Sequence, residues 1–278
     1  MKLNELVTIL IPVKNEAANL PLCLDRIRQF DHVVVVDSGS TDETCRIAAD
    51  YGREVVQFKW NGLFPKKRNW MLRNYSFKTP WVLFLDADER LSDKQVDELE
   101  RVLPDTTHDA LIMHLDNWFM GKILRHGDSP RKTNMLRLGT GEYERIDEQK
   151  WSQMDMEVNE HIIVRGTIGT LSCHLEHYDM RSLPSYFAKH NEYSSWEAHR
   201  FVEFTKDNDF SQQTWRQKIK YRFIYTNKLG PLFYFFVSYF LKGGFLDGAP
   251  GFYFIMNRLF YFYQIQEKIK LIQLGMLK

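Results

Sequence analysis

The run Trp81-Val82-Leu83-Phe84-Leu85-Asp86-Ala87-Asp88-Glu89 ends five apolar residues on two carboxylates spaced one residue apart. Five such residues make a buried strand, and carboxylates are costly to bury without a partner. A divalent cation carrying phosphates is one partner, because hard oxygen donors suit Mg2+ or Mn2+. The carboxyl ends of strands in an open parallel sheet are also where ligands bind. A turn leading into a helix would favour the same acidic residues, so Asp-x-Asp by itself leaves both readings open.

Three other strand ends carry polar groups. Pro12-Val13-Lys14-Asn15-Glu16 follows the first apolar run. It lacks the G-x-G-x-x-G of a dinucleotide cradle, and Asn15 and Glu16 serve either a ligand or the cap of the next helix. Asp37-Ser38-Gly39-Ser40-Thr41-Asp42 follows the second run. Asp37 can accept from a base N–H or a ribose hydroxyl, or the segment is only a strand-to-helix connection. Lys66-Lys67-Arg68-Asn69 opens a short basic helix, suited to a diphosphate or simply a solvated charged face.

The elements that must position these groups alternate. Leu6–Pro12, His32–Asp37, Glu54–Phe58, Trp81–Leu85 and Ala110–Leu115 read as strands. Glu16–Phe30, a segment from Thr41 or Asp42 to Tyr51, Pro65–Tyr75 and Ser92–Leu103 read as helices. Alternating βαβα with continuously apolar strands predicts a parallel sheet covered on both faces. Residues 116–175 change character: short strand-like pieces (Asn134–Leu138, Ile162–Val164, Thr167–Leu171) are interrupted by glycines. Beyond Leu183 the pattern is helical over about 183–205 and 212–228. Two aromatic-rich segments follow, 232–241 and 252–263, separated by Lys242–Gly251. The expected division is an α/β part over 1–115, a further part of the same domain over 116–205, and a helical extension over 206–278.

Asn/Glu, Asp, Lys/Arg and Asp-x-Asp, in that order at four strand ends, resemble the nucleotide-sugar domain of family 2 glycosyltransferases, which have the GT-A fold. The resemblance is close over about residues 6–115. It continues more weakly through Val158-Asn159-Glu160-His161, His174-Leu175-Glu176-His177 and Gly244-Phe245-Leu246-Asp247-Gly248, which are similar to the branch containing lipopolysaccharide-core β-1,4-glucosyltransferases. Ser38 departs from the pattern, standing where many members have a second Asp. The resemblance implies an α/β GT-A fold and an inverting, non-processive transfer of a hexose, glucose expected, from a UDP-linked donor to a saccharide or lipid-linked saccharide. It implies Asp88 on a Mn2+ or Mg2+ ion, Asp86 on the ribose or a metal-bound water, and Pro12, Asn15, Glu16 and Asp37 around the nucleoside. Lys67 or Arg68 would add charge stabilisation. Glu160 matches the position of the acceptor base, with Glu157 and Asp155 as alternatives, and His177 is a further candidate metal ligand, ahead of His174. A catalytically inactive relative acting as a scaffold or sugar-binding protein is the other class of reading.

Composition sets bounds. The 278 residues are 44% hydrophobic and 26% charged, which is globular. The net charge of +1 is divided unevenly. Residues 211–278 hold ten Lys or Arg against Asp247 and Glu267, a balance of +8, which leaves −7 for the rest. Basic, aromatic helical segments suit an anionic membrane surface; a helical appendage packed on the catalytic part or in a dimer is the alternative. A nucleic-acid partner is not expected from this pattern. Three scattered cysteines fit a reducing compartment. No apolar run reaches the roughly 18–20 residues of a membrane span. The expected location is cytoplasmic, peripheral on the inner face of the cytoplasmic membrane.

Overall fold

The computed structural model describes residues 2–146, 151–152, 155, 161–178, 182–206 and 218–277. Its centre is a sheet built from strands that are apolar on both faces. β1 (Val7–Val13) is buried at every position and pairs in parallel with β2 (Val33–Asp37) and β4 (Trp81–Phe84). β2 in turn pairs in parallel with the edge strand β3 (Glu54–Gln57). Side chains alternate with the pleat. Val7, Ile9, Ile11, Val35 and Leu83 point into one layer with Leu24, Ile27 and Leu99, while Leu10, Val34, Val36, Val82 and Phe84 point into the other with Met71. Helices α2 (Leu20–Asp25), α3 (Thr44–Asp50) and α5 (Asp93–Val102) supply the first layer, and α4 (Lys67–Asn74) the second. A four-residue turn of helix, α1 (Leu3–Leu6), precedes β1.

Beyond β4 the sheet becomes mixed. β8 (Arg131–Arg137) enters antiparallel between β4 and β6 (Ala110–Phe119). β11 (Ile168–His177) then pairs in parallel with β6, and the two-residue β5 (Glu89–Arg90) pairs antiparallel with β11. The sheet is therefore mostly parallel, as expected, with β8 and β5 reversed. β9 (Gly141–Tyr143) and β10 (Ile162–Val164) form a separate antiparallel pair. The expected helix over 16–30 is α-helical only at α2, yet its apolar set Leu20, Leu24 and Ile27 is buried as the spacing predicts. Near its entry Asn15 sits at φ +56°. A mostly parallel sheet flanked by helices and followed by a helical C-terminal part is the GT-A-like architecture.

The chain divides into two compact units. The first holds residues 1–117, 130–147 and 153–180; the second holds 118–129, 148–152 and 181–278. In the second, the short strand β7 (Lys122–Ile123) pairs with the end of β6. The long helices α6 (Leu183–Lys206) and α8 (Gly248–Gln273) share a core of Ala198, Phe201, Phe262, Ile265 and Ile269. Between them lie a π-helical turn at Lys220–Ile224, α7 (Gly230–Phe236), a second π turn at Val237–Leu241 and a 3-10 turn at Gly244–Asp247. The Lys242–Gly251 separator is thus not a slack linker. Asp247 is buried and accepts the backbone N–H groups of Arg125 (3.0 Å) and His126 (2.8 Å). Among the described residues no helix is long and apolar enough to cross a membrane.

Candidate active site

Asp86 lies two residues past the end of β4, where the backbone leaves the sheet. One carboxylate oxygen accepts from Arg68 Nη2 (2.5 Å) and the other from Lys132 Nζ (2.6 Å). Lys132 comes from the reversed strand β8 and also bonds Glu89 Oε1 (2.8 Å), while Glu89 Oε2 accepts the Asp86 N–H (2.8 Å). Burial alone would raise the Asp86 carboxyl, but the charges of Lys132 and Arg68 outweigh it and hold the group well below the usual carboxylate range. Glu89 moves the other way: burial and the charge of Asp86 raise it more than Lys132 lowers it. Lys132 would lose its proton more readily from burial alone, but the two carboxylates hold it above its ordinary value.

Asp88 is buried and takes a different partner. Its Oδ2 lies 3.4 Å from His177 Nε2, at the end of β11. His177 pairs in register with Asn117 of β6, and Asn117 Oδ1 accepts from His177 Nδ1 (3.0 Å). An amide oxygen can only accept, so Nδ1 carries the proton and Nε2 is the nitrogen presented to the Asp88 carboxylate. Such a facing pair is stable with a positive charge between its members, a proton or a metal ion. The second partner that fixes the imidazole is what metal-binding histidines characteristically have. The carboxylate fits Mn2+ or Mg2+, since such ions commonly take one or two carboxylates and complete their shell with water and substrate phosphates, while the imidazole nitrogen suits Mn2+ better than the harder Mg2+. Among the described residues no group of three or more His, Cys, Asp or Glu side chains is arranged to hold a metal. Any further donors to the pair would come from outside that set.

The other predicted residues frame the ends of β1 and β2. Pro12 is buried in β1 opposite Val36. Asn15 Oδ1 accepts the Thr41 N–H (2.8 Å), and the Asn15 N–H reaches Ser40 Oγ (2.8 Å). The Glu16 N–H donates to Thr44 Oγ1 (2.8 Å), and Glu16 Oε2 accepts from Asn19 Nδ2 (2.8 Å). These bonds stitch the two strand-end loops together. Asp37 closes its own turn, accepting from the Gly39 N–H, the Ser40 N–H and the Ser40 hydroxyl. Burial pushes this carboxyl up, but those bonds, with Cys45 and Gln57, hold it below its ordinary value.

The basic run at the start of α4 is not a solvated face. Lys66, Lys67 and Arg68 are all buried. Lys67 Nζ donates to Val13 O (2.9 Å) and lies 3.9 Å from Asp155 Oδ2, tying α4 to the end of β1. Arg68 also stacks on Tyr143, 5.3 Å from the ring centroid. His174 takes a separate place, bonded to Asp116 and stacked on His114. Glu160 and Glu157 lie outside the described residues. The structure thus brings together Arg68, Asp86, Asp88 and His177. Sequence reasoning missed Lys132, Glu89 and Asn117. Three carboxylates within four residues at 86–89 were the available signal that cations must come from elsewhere in the chain.

A lipopolysaccharide core biosynthesis glycosyltransferase, LpsC of Rhizobium meliloti (strain 1021), is 28% identical over 92% of this chain and 88% of its own length. The complex of Staphylococcus aureus TarS 1–349 with UDP-GlcNAc is similar over 99% of this chain and 92% of that one, at 16% identity and a TM-score of 0.47. A Mycobacterium tuberculosis glucosyl-3-phosphoglycerate synthase complex with Mn2+, UDP and glucosyl-3-phosphoglycerate is similar over 42% of this chain, at 25% identity and a TM-score of 0.31. This chain spans 45% of that structure's length. The family model described as glycosyl transferase family 2 matches residues 8–162, more than half of the sequence, so the chain belongs to glycosyl transferase family 2.

Proposed function

We propose that this glycosyltransferase moves a hexose, glucose being the expected one, from a UDP-linked donor to a saccharide or lipid-linked saccharide acceptor, with inversion and with Mn2+ or Mg2+. The observation that carries the reading is the pairing of Asp88 with an oriented His177 beside an Asp86 already neutralised by Arg68 and Lys132. Asp88 and His177 would hold the cation, which supplies Lewis-acid neutralisation of the leaving diphosphate. Arg68 and Lys132 keep Asp86 ionised and in place to accept a hydrogen bond from a ribose hydroxyl or a metal-bound water. The stitched loops at Asn15–Glu16 and Asp37–Thr41 meet the nucleoside. Glu160 takes the proton of the acceptor hydroxyl. Cell-envelope glycan synthesis as the setting is supported by the likeness to LpsC.

The test is a panel of nucleotide sugars in a thermal-shift assay with and without Mn2+, alongside a Mn2+ titration followed by electron paramagnetic resonance. A ligand that binds only the native state raises the melting temperature by mass action. The expected result is metal-dependent stabilisation by one UDP-hexose and a bound-Mn2+ signal, both lost in Asp88→Ala. Stabilisation that is equal without metal, or unchanged in Asp88→Ala, overturns the metal assignment. No stabilisation by any donor favours the inactive-scaffold reading.

A further inference from the structure

The second unit carries an apolar surface that the sugar-transfer chemistry does not use. α7 and the π turn that continues it present Leu232, Phe233, Phe236 and Phe240 on the outside, each about half exposed. Ring contacts join Phe236 to Phe240 (5.3 Å), Phe240 to Tyr239 (5.0 Å) and Tyr239 to Phe245 (6.2 Å), so the patch extends onto the neighbouring 3-10 turn. Leu241, at its end, is 70% exposed. Soluble chains rarely leave aromatic side chains exposed in such continuity without a partner for them.

The charges around the patch have one sign. Lys228 and Lys242 are exposed and bracket the segment, and Arg222 is exposed one turn earlier. Lys242 Nζ keeps 3.7 Å from Asp128, itself mostly buried. From Lys218 to Gln266 the sequence has a single carboxylate, Asp247. That carboxylate is buried and bonded to the Arg125 and His126 backbone. An aromatic face rimmed by cations and lacking exposed carboxylates is complementary to a surface that is apolar inside and anionic outside. A second copy docked face to face would set the same exposed cations against each other, with only the partly buried Asp128 beside Lys242 to offset them.

We propose that this face, Leu232 through Leu246 with Lys228 and Lys242 at its rim, is the surface by which the enzyme docks on an anionic lipid bilayer. It lies flat with its aromatic rings at the headgroup–acyl boundary. The inference goes beyond the donor and metal reading and does not depend on it, since every residue used belongs to the second unit.

The test is co-sedimentation of the full chain with phosphatidylglycerol-containing vesicles and with pure phosphatidylcholine vesicles, from low to high salt. Sedimentation velocity without lipid is measured in parallel. The expected results are preference for the anionic vesicles, weakening at high salt, and a monomer in the absence of lipid. Phe236→Ser/Phe240→Ser should lower the partition coefficient by about tenfold or more, and Lys228→Gln/Lys242→Gln by a similar factor on anionic vesicles alone. A cooperative circular-dichroism melt retained in both variants shows that they are folded, whatever the outcome at the donor site. If the aromatic variant fails to fold, the lysine variant decides. Equal binding to both vesicle types, no binding, or wild-type partition in the lysine variant overturns the proposal. A dimer that Phe236→Ser/Phe240→Ser dissociates assigns the face to self-association instead.

Discussion

Replacing Lys132 by Met removes the cation that touches both Asp86 and Glu89, at 2.6 and 2.8 Å. Glu89 is 1% exposed, Lys132 22% and Asp86 28%. Breaking a buried ion pair from one side costs about 3–5 kcal/mol, because the remaining charge loses its compensation. Water reaches about a fifth of the lysine, which places the loss near the lower end, about 3 kcal/mol. For a unit of this size that corresponds to a fall of roughly 6–12 °C in melting temperature near neutral pH. The sign of the pH dependence follows from the same groups. A carboxyl whose folded pKa lies above its unfolded value contributes stability that is full below the unfolded value and is lost as pH rises through the folded one. Glu89 is already raised, and loss of Lys132 raises it further and moves Asp86 up from its depressed value. The deficit of Lys132→Met should therefore be largest at about pH 8 and narrow toward about pH 5, close to the ordinary Glu value of about 4.3. Adding Glu89→Gln should recover more than half of it, since both partners of that pair are then neutral. Calorimetric scans of the three proteins across that range decide the matter. A single variant melting within about 2 °C of the parent, or a deficit independent of pH, would refute the reasoning.

Two further outcomes are expected. Asn117→Ala removes the acceptor that orients His177; a second partner of this kind is typically worth about 10–100-fold in metal affinity, read here by calorimetric Mn2+ titration in the presence of UDP. Unchanged affinity would remove His177 from the proposed ligand set. Asp247→Asn weakens the charge-assisted bonds to the Arg125 and His126 N–H groups and should cost about 2 kcal/mol, seen as a urea midpoint lowered by roughly 1 M; an unchanged midpoint would mean the charge does not hold this turn.

The sheet was legible where its strands are apolar on both faces. Val33–Val36 can only be buried, and alternation with helices then dictates a parallel arrangement. β8 was less legible because Arg131-Lys132-Thr133-Asn134-Met135-Leu136-Arg137 has only two strongly apolar residues, and nothing local states that it enters antiparallel between β4 and β6. The same non-locality hid Lys132, which meets Asp86 across 46 positions of sequence. β11 was read as stopping at Leu171 because Ser172-Cys173-His174 looks polar. It continues to His177 through an irregularity between Thr170 and His174 that keeps Leu175 opposite Leu115 and sets His177 opposite Asn117. Lys66, Lys67 and Arg68 mislead in the other direction. Three adjacent cations suggest solvent, yet Lys67 is buried on the Val13 carbonyl and Arg68 on Asp86 and Tyr143.

The charges at the end of β4 also bear on the order in which ligands would enter. Among the described residues Asp86, Asp88 and Glu89 set three carboxylates against the cations Arg68 and Lys132, so with all of them ionised and His177 neutral the cluster carries one net negative charge. A nucleoside diphosphate arriving alone meets a field of its own sign, and in a partly buried site that repulsion is poorly screened. A divalent cation reverses the sign of the cluster. On the proposed reading the diphosphate therefore binds tightly only with its metal, and the two aspartates divide the work because their neighbours differ. Asp86 has its charge balanced by fixed side chains and serves as a positioned acceptor. Asp88, facing an imidazole nitrogen held by Asn117, is the carboxylate whose pairing a metal ion would complete.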